Sequence, residues 1–480
     1  MTLSRPGKAK NQVFIGTFIH SKSLGELEYL HNAAVCVDAS GKIVAIEPNC
    51  NQQKAVETVY AKLGWGLDNV AVTVARDANQ FYFPGFIDTH VHAPQYPNVG
   101  VFGKSTLLDW LNTYTFPMEA SLSSLPKARR VYTRCIRRTL AHGTTTAAYY
   151  ATIDVDATNL LADLCFAMGQ RAFVGRVCMD HLGPDYYIDE SPEHALAATR
   201  ATIEHIRGLD GGLALVSPIL TPRFAPACSP ETMRRLAALQ AQTQLPMQTH
   251  ISENAGEVAL VRELFPGSRS YADVYDAHGL LNDKMILAHA IHLTEDEADL
   301  IAARRAKVAH CPCSNSALTS GVARVRWLLE KGIQIGLGTD MSGGYSPSIL
   351  EAARQAKLVS NHLIAPGGQL AHLPEDEREK AKLSVDEVLY LATRGGAQVV
   401  GLADKIGGFE VGMQWDAQLV DLGAVPDEVA HDDQAIHGNV DVFGWETWDE
   451  RIAKWVFNGD DRNTTKVWVQ GRLVHEQRGH

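Results

Sequence analysis

Eight short apolar runs, most of them separated by amphipathic stretches, occupy residues 82–400 of this 480-residue chain. The runs are Phe83–His90, Thr144–Tyr150, Ala172–Val177, Leu213–Ile219, Pro246–Ile251, Met285–Ala290, Lys307–Cys311 and Gln334–Thr339. Alternation of strand-like and helix-like segments predicts an α/β protein with a parallel sheet covered by helices. Eight such units over this length favour a closed (β/α)8 barrel of the TIM type.

The segments on either side of the predicted barrel have strand-like patterns. They are Val13–Ile19, Ala34–Val37 and Ile43–Ile46 before it, and Ala417–Asp421, Trp455–Phe457, Val467–Val469 and Arg472–Val474 after it. Because neither set has enough strands to fold alone, we expect both chain ends to form one small β-sandwich domain. The predicted division is 1–81 and 399–480 for the two parts of this domain, and 82–398 for the catalytic barrel.

Metal-binding side chains fall at the C-terminal ends of the predicted strands, where barrels of this kind place their active sites. His90 and His92 end the first run, His250 and His289 end the fifth and sixth, and Asp340 follows the eighth. Residues i and i+2 of a strand point to one face, so the H-x-H pair directs two imidazoles to one point. One such histidine alone would be better explained as a core residue, but the convergence of independent segments favours a metal site.

Three histidines and an aspartate with room for a water are typical of a catalytic zinc site. Zinc held by His90, His92, His250 and Asp340 would lower the pKa of a bound water to about 7 and supply hydroxide for hydrolysis. A second, bridged metal would need a Lys, Asp or Glu at the end of the fourth run, and residues 213–223 contain none. The sequence therefore predicts one zinc ion per chain.

Two residues beside these ligands have alternative interpretations. Glu253 lies three residues after His250, where a carboxylate suits proton transfer; the alternative is a first-turn helix residue favoured by the helix dipole. His289 is either a further ligand or a neutral hydrogen-bond partner of the attacking water, and we favour the second. The predicted catalytic residues are Glu253, His289 and Asp340.

Charge and composition exclude several classes of function. The formal net charge is −11 without a block of Lys or Arg, which argues against binding of nucleic acid or an anionic membrane. No apolar run is long enough to span a bilayer, Met1–Pro6 lacks a signal-peptide core, and Arg478–His480 matches no targeting motif. The eight cysteines lack the spacing of a disulfide framework, so we interpret them as reduced thiols of a cytoplasmic protein.

Longer motifs resemble the amidohydrolase superfamily, namely Pro84–His92, His250–Asn254 and Gly338–Asp340. Finer features resemble the branch of that superfamily that deaminates guanine: His92–Tyr96, Trp110-Leu111, Tyr114–Pro117, Thr221–Phe224 and Asp460–Asn463. The resemblance covers nearly the whole chain and implies zinc at the four ligands named above, a homodimer, and proton transfer by Glu253. It also implies that Gln95, Arg223 and Phe224 hold the purine. Cys313 and Met341-Ser342 depart from the pattern and are expected to affect the pocket rim.

The chemistry of these residues suits a planar, neutral base, which needs a stacking surface and a few polar groups along its edge. Phe224 and Trp110 could supply the surface, although Trp110 fits core packing equally well. Gln95 offers both a donor and an acceptor, and Arg223 offers a planar fork; a surface salt bridge is the alternative for Arg223. The predicted substrate contacts are Gln95, Trp110, Arg223, Phe224, His250, Glu253 and Asp340.

The resemblance thus implies zinc-dependent hydrolysis of guanine to xanthine and ammonia, with guanine and water as the molecules bound. Two alternatives remain open. One is hydrolysis of another aminated or halogenated heterocycle, such as a pterin or triazine. The other is an inactive scaffold that binds protein partners, and the complete set of ligands argues against it.

Overall fold

The computed structural model describes residues 10–50, 54–55, 60–66, 69–76, 79–104, 106–425 and 438–477. Residues 1–6 and 478–480, on which the expectation about targeting motifs rests, lie outside the described residues. The strands in chain order are β1 Asn11–Ser23, β2 Glu26–Val37, β3 Ile43–Glu47, β4 Val70–Val74, β5 Gln80–Pro84, β6 Phe86–His92, β7 Thr144–Tyr150, β8 Arg171–Gly175, β9 Val177–Cys178, β10 Val216–Pro218, β11 Thr221–Pro222, β12 Met247–Ile251, β13 Met285–His289, β14 Lys307–His310, β15 Ile335–Leu337, β16 Ala417–Asp421, β17 Gly423–Ala424, β18 Asp441–Val442, β19 Thr464–Val469 and β20 Arg472–Glu476.

Helices cover the segments between most of these strands. The helical segments are Tyr60–Leu63, Ala93–Asn98, Leu107–Trp110, Leu111–Thr115, Phe116–Ala120, Ser121–Ser123, Leu125–Ala141, Val155–Met168, Pro192–Leu209, Ala225–Ala227, Pro230–Thr243, Ala255–Leu264, Tyr271–Ala277, Glu295–Arg304, Pro312–Ala317, Val325–Glu330, Ile349–Ile364, Glu375–Ala381, Val385–Tyr390, Leu391–Gly395, Gly396–Val399 and Trp448–Asn458. None of the helices in the described parts of the chain has both the length and the apolar character needed to span a bilayer.

The strands in the predicted barrel region form two four-stranded parallel sheets, β6-β7-β8-β10 and β12-β13-β14-β15, beside the short pair β9-β11. Backbone hydrogen bonds also link these groups of strands. Gln248 N donates to Leu220 O at 2.9 Å, and Asp340 N donates to His90 O at 2.9 Å. The alternation of parallel strands and helices confirms the predicted α/β class.

The first predicted run, Phe83–His90, is two strands rather than one. β5 pairs with β16 in a different, antiparallel arrangement, and β6 begins only at Phe86. Gly85 lies at the change, where its N–H donates to Asp416 O at 2.9 Å. A Cβ on Gly85 would lie 2.1 Å from Thr145 Cγ2, so the absence of a side chain permits the close approach. Both strands are buried along their whole length, and the sequence pattern therefore contains no sign of the division.

Strands from both chain ends share one eight-stranded sheet. Its order is β20-β19-β16-β5-β1-β2-β3, with β4 paired to β1. Aromatic rings form the core on this sheet: Phe14 stacks on Trp415 at 4.3 Å between centroids, and Phe18 stacks on Tyr82 at 4.8 Å. Because the first pair joins β1 to the C-terminal part of the chain, the core depends on both chain ends.

The prediction of a strand at Trp455–Phe457 is wrong, because these residues belong to the helix Trp448–Asn458. Thr447 begins this helix with a capping box, in which Glu450 N donates to Thr447 Oγ1 and Thr447 N donates to Glu450 Oε2. The fully buried Trp455 packs on Phe83 and Phe86, with ring centroids at 5.0 and 5.8 Å. The helix therefore packs against both β5 and β6.

Candidate active site

Four of the predicted side chains converge at the C-terminal ends of the parallel strands. His90 and His92 lie at the end of β6, His250 lies in β12, and Asp340 follows β15. His92 Nε2 lies 3.2 Å from His250 Nε2 and 3.4 Å from Asp340 Oδ1, and His90 Nε2 lies 3.1 Å from Asp340 Oδ1. Ring nitrogens of the three histidines lie within 4.8 Å of one another.

The donor set of this cluster fits a divalent metal ion. His250 Nδ1 lies 2.6 Å from the backbone oxygen of Arg223, so this nitrogen carries the proton and Nε2 keeps its lone pair. Burial, together with the neighbouring imidazoles, lowers the pKa of His92 and of His250 well below its ordinary value. Burial also lowers the pKa of His90. All three rings are therefore neutral at neutral pH and able to bind a metal.

The backbone beside the cluster adopts conformations that are uncommon for residues other than glycine. φ is +75° at His289 and +44° at Asp340, in the left-handed region, and such conformations cost roughly 1–3 kcal/mol each. Thr339 N donates to the buried Asp88 Oδ1 at 3.0 Å, which fixes the approach to Asp340. The following turn has no room for a side chain at Gly344, where a Cβ would lie 1.9 Å from Thr339 O.

Glu253 and His289 lie side by side next to Asp340. His289 Nε2 lies 3.4 Å from Glu253 Oε2 and 3.7 Å from Asp340 Oδ2. His289 Nδ1 is paired with Asn315 Oδ1 at 2.9 Å, whereas Nε2 has no hydrogen-bond partner among the described residues. Burial raises the pKa of Glu253 well above its ordinary value, and the carboxylates of Asp340 and Glu257 raise it further. Burial and the neighbouring carboxylates therefore favour the protonated form of Glu253.

A small cavity opens beside the cluster. The structure places all seven predicted substrate-contact residues on its wall. The lining residues are His92, Gln95, Leu107, Trp110, Leu111, Arg223, Phe224, His250, Glu253, Leu318 and Asp340.

The polar wall of the cavity is one hydrogen-bonded network around Glu119. Arg223 Nη1 and Nη2 donate to Glu119 Oε2 and Oε1 at 2.6 and 3.1 Å. Gln95 Nε2 donates to Oε1 at 2.7 Å, and Tyr187 OH donates to Oε2 at 2.8 Å. Arg223 is 2% exposed and Glu119 1%. The alternative of a surface salt bridge at Arg223 is therefore wrong, because both partners are buried.

The apolar wall includes Trp110 and Phe224. Trp110 Nε1 donates to Val101 O at 3.2 Å, and its ring is buried among other apolar side chains. Trp110 therefore both packs in the core and lines the cavity. The Phe224 ring lies 6.4 Å from the His250 ring, close to the cluster.

Sequence reasoning missed several residues of the site. Glu119 follows the motif Tyr114–Pro117 by two residues. A single carboxylate at that position gives no indication in the sequence that it contacts Arg223 and Gln95. Leu318 lines the cavity as an ordinary apolar side chain. Cys313 and Met341, expected at the pocket rim, are buried and do not line the cavity.

The chain belongs to the amidohydrolase family, with a match over residues 81–474. Within that family it is similar to guanine deaminases. It is 47% identical over 462 residues to a probable guanine deaminase of Schizosaccharomyces pombe, covering 96% of this chain and 83% of the relative.

Two solved structures of related deaminases have the same fold. The guanine deaminase of C. acetobutylicum, with guanine bound in the active site, matches with a TM-score of 0.82 at 31% identity, over 97% of this chain and 100% of that one. An adenosine deaminase of Xanthomonas campestris with bound zinc matches with a TM-score of 0.76 at 25% identity, over 98% and 93%. The comparisons identify the family, whereas recognition of a particular nucleobase depends on the residues that line the cavity.

Proposed function

We propose that this chain catalyses the hydrolytic deamination of guanine to xanthine and ammonia, a reaction of purine catabolism and salvage. One observation carries the proposal: a single cavity is lined both by the buried Gln95 and Arg223 and by His92, His250 and Asp340 of the cluster. The similarity to guanine deaminases over 96% of the chain supports it. The second candidate is hydrolysis of a pterin or triazine, which the same cluster could also serve.

We propose that His90, His92, His250 and Asp340 hold one zinc ion per chain. The amidohydrolase family is metal-dependent, and neutral imidazoles with a carboxylate are the donors zinc prefers. The absence of a Lys, Asp or Glu between residues 213 and 223 favours one metal over two. When bound, zinc supplies Lewis-acid activation of the attacking water.

The carboxyl groups of Asp340 and Glu253 accept and donate the protons of the reaction. Although burial raises the pKa of Asp340, His90 and His289 beside it lower the pKa below its ordinary value, so Asp340 is ionised and accepts a proton of the attacking water. Glu253, which is protonated, donates its proton to a ring nitrogen next to C2 of guanine. His289 Nε2, a buried acceptor, orients the water.

The hydrogen and oxygen atoms of the reaction then balance. The oxygen of the water remains on C2 as a carbonyl, and its two hydrogens account for one new hydrogen on the ring nitrogen and one on the ammonia. Glu253, a carboxylate after the first transfer, takes the proton of the new C2 hydroxyl and passes it to the departing amino group, and the proton held by Asp340 then restores the Glu253 carboxyl. The same carboxyl group therefore serves first as an acid and then as a relay.

Substrate binding uses the remaining wall of the cavity. Arg223 and Gln95 bind the carbonyl side of the base, and Phe224 and Trp110 offer the apolar surface on which it stacks. His250, Glu253 and Asp340 contact the side of the base that carries the amino group. In addition, His250 and Asp340 bind the metal, and Glu253 and Asp340 transfer protons.

We propose that β6–β15 close into a (β/α)8 barrel over about residues 82–398. The backbone hydrogen bonds across Leu220–Gln248 and His90–Asp340 support this closure. The shared sheet and its aromatic core support a small β-sandwich domain from residues 1–81 and 399–480. We also propose a cytoplasmic location, which the eight free cysteines support. The resemblance to the family implies a homodimer, which light scattering on the purified protein checks.

A substrate panel tests the proposed function. We expect efficient release of ammonia from guanine and negligible release from adenine, adenosine, a pterin and an aminotriazine. A higher kcat/KM on the pterin or triazine than on guanine would replace this proposal with the second candidate.

A further inference from the structure

We infer that Glu119 is a positioning residue that determines how Arg223 and Gln95 are presented to the base. The inference rests on the proposed function, since it concerns the binding of the carbonyl side of guanine. Glu119 is buried, contacts both side chains, and is absent from the cavity lining, so it acts through them.

Glu119 assigns the orientation of the Gln95 amide. A carboxylate can only accept hydrogen bonds, so the Gln95 atom 2.7 Å from Glu119 Oε1 is the amide nitrogen. Gln95 Oε1 then lies on the other side, 3.4 Å from Ser342 N. A neutral amide in place of Glu119 would permit either orientation. Glu119 therefore decides where the cavity presents a donor and where it presents an acceptor.

The same carboxylate fixes the plane of the Arg223 guanidinium. Its two oxygens take one N–H from each terminal nitrogen, and the guanidinium carbon lies 4.9 Å from the centre of the Phe116 ring. Phe116 and Glu119 are three residues apart on the helix Phe116–Ala120. From this one helix, Phe116 packs on the face of the guanidinium and Glu119 binds its terminal nitrogens. Nε–H of Arg223 has no oxygen or nitrogen partner among the described residues and remains available to the substrate.

The pair also makes this wall electrically neutral. A buried guanidinium without a partner is strongly unfavourable and attracts anions. With Glu119 present, the Arg223–Glu119 pair has no net charge, and the wall still offers oriented hydrogen-bond donors. Oriented donors on an uncharged wall suit a purine that binds as a neutral molecule.

The competing explanation is a buried salt bridge that only stabilises the fold, and the chain contains a matched pair of that kind. Arg171 Nε and Nη2 donate to Asp416 Oδ2 and Oδ1 at 3.0 and 3.2 Å, and both residues are buried. Arg171 is the first residue of β8, at the end of the strand opposite the active site. Asp416→Asn therefore serves as the control for losing a buried ion pair.

The test compares Glu119→Gln, Glu119→Asp and Asp416→Asn with the wild type. We measure kcat and KM for guanine, zinc content and melting temperature of each holoenzyme. Loss of charge-assisted hydrogen bonds to the base predicts that Glu119→Gln lowers kcat/KM by about 10- to 100-fold, mainly through KM, with zinc content unchanged. Glu119→Asp should recover part of the loss. Asp416→Asn should lower the melting temperature and keep kcat/KM within about twofold of the wild type.

The inference is overturned if Glu119→Gln lowers the melting temperature but keeps the wild-type KM and kcat/KM. Should Glu119→Gln fail to fold, Glu119→Asp and Tyr187→Phe decide, because Tyr187→Phe removes one hydrogen bond to Glu119 and retains the ion pair. A raised KM in both supports the inference, and an unchanged KM in both overturns it. If the wild type releases no ammonia from guanine, the proposed function is refuted, and the inference about Glu119 is refuted with it. If the wild type is active but the Glu119 variants keep its KM, only the inference about Glu119 is refuted.

Discussion

At the scale of single residues, the site shifts the pKa values of two neighbouring carboxyl groups in opposite directions. Asp340 lies beside His90 and His289, which lower its pKa against the effect of burial. Glu253 lies among other carboxylates, so burial and repulsion both raise its pKa. Pairs whose pKa values are driven apart in this way identify the base and the acid of a reaction. The structure thus supports an acid at Glu253 from contacts that the sequence could not show.

Glu253→Gln tests the acid directly. The amide keeps the size of the side chain and cannot transfer a proton, so we expect turnover of guanine to fall by roughly 10²–10⁴-fold. Metal content should match the wild type, because Glu253 is not a proposed ligand. Turnover within a few-fold of the wild type would remove Glu253 from the mechanism.

Arg223→Lys tests recognition of the base. Lysine keeps the charge but cannot reproduce the planar fork or the two contacts with Glu119. We expect a strongly reduced kcat/KM for guanine with unchanged zinc content, measured by steady-state kinetics and metal analysis. The wild type should discriminate against adenine by roughly 10⁴–10⁵-fold, because an amino group would face a donor. Comparable rates on adenine, or an unimpaired variant, would contradict this role for Arg223.

The convergence of His90, His92, His250 and Asp340 could be predicted because these residues obey a positional rule, the ends of parallel strands. Glu119 could not, since its importance arises from contacts with residues 24 and 104 positions away in the chain. The resemblance assigned Arg223 to the purine, whereas its burial with a carboxylate partner was visible only in the fold. The local pattern thus located the cluster of histidines better than the hydrogen-bonded network around Glu119.

At the scale of secondary-structure elements, two errors show what an apolar pattern leaves open. Phe83–His90 formed a single run in the sequence because β5 and β6 are both buried, and the antiparallel pairing of β5 with β16 reveals the change of sheet. Trp455–Phe457 was too short to show a helical period. The better evidence was upstream, in the spacing Thr447-x-x-Glu450, which is the signature of a capping box.

Thr447→Ala tests whether this cap stabilises the helix Trp448–Asn458. Loss of the side-chain acceptor should lower the free energy of unfolding by about 1 kcal/mol, measured by urea denaturation. Thr447→Ser keeps the acceptor and should remain close to the wild type. Equal stability of the alanine and serine variants would show that the cap contributes nothing measurable.

At the scale of the whole molecule, the terminal sheet links the two ends of the chain around the catalytic region. β19 and β20 form its edge beside β16, and the buried Trp468 lies 5.2 Å from Phe14 between ring centroids. The pairing of the chain ends was predicted from the shortage of strands at either end. The helix Trp448–Asn458 within the C-terminal part was not, because its packing on β5 and β6 is a tertiary feature.

Truncation after Asn463, which removes β19 and β20, tests this dependence. We expect the shortened protein to lose its cooperative thermal transition, because the aromatic core loses Trp468 and an apolar edge is exposed. A chain truncated after Glu476 keeps both strands and is the control. A wild-type melting temperature in the shorter protein would show that the sheet does not need these strands.

The central claim is that the cluster His90, His92, His250 and Asp340 and the wall formed by Gln95 and Arg223 act together on guanine. The most direct measurement is the stoichiometry of the purified chain acting on guanine, with metal removed and then restored. We predict equal amounts of xanthine and ammonia, loss of both products after chelation, and full recovery at one equivalent of zinc per chain. Undiminished product formation in the metal-free protein, or recovery that requires two equivalents of zinc, would contradict the account.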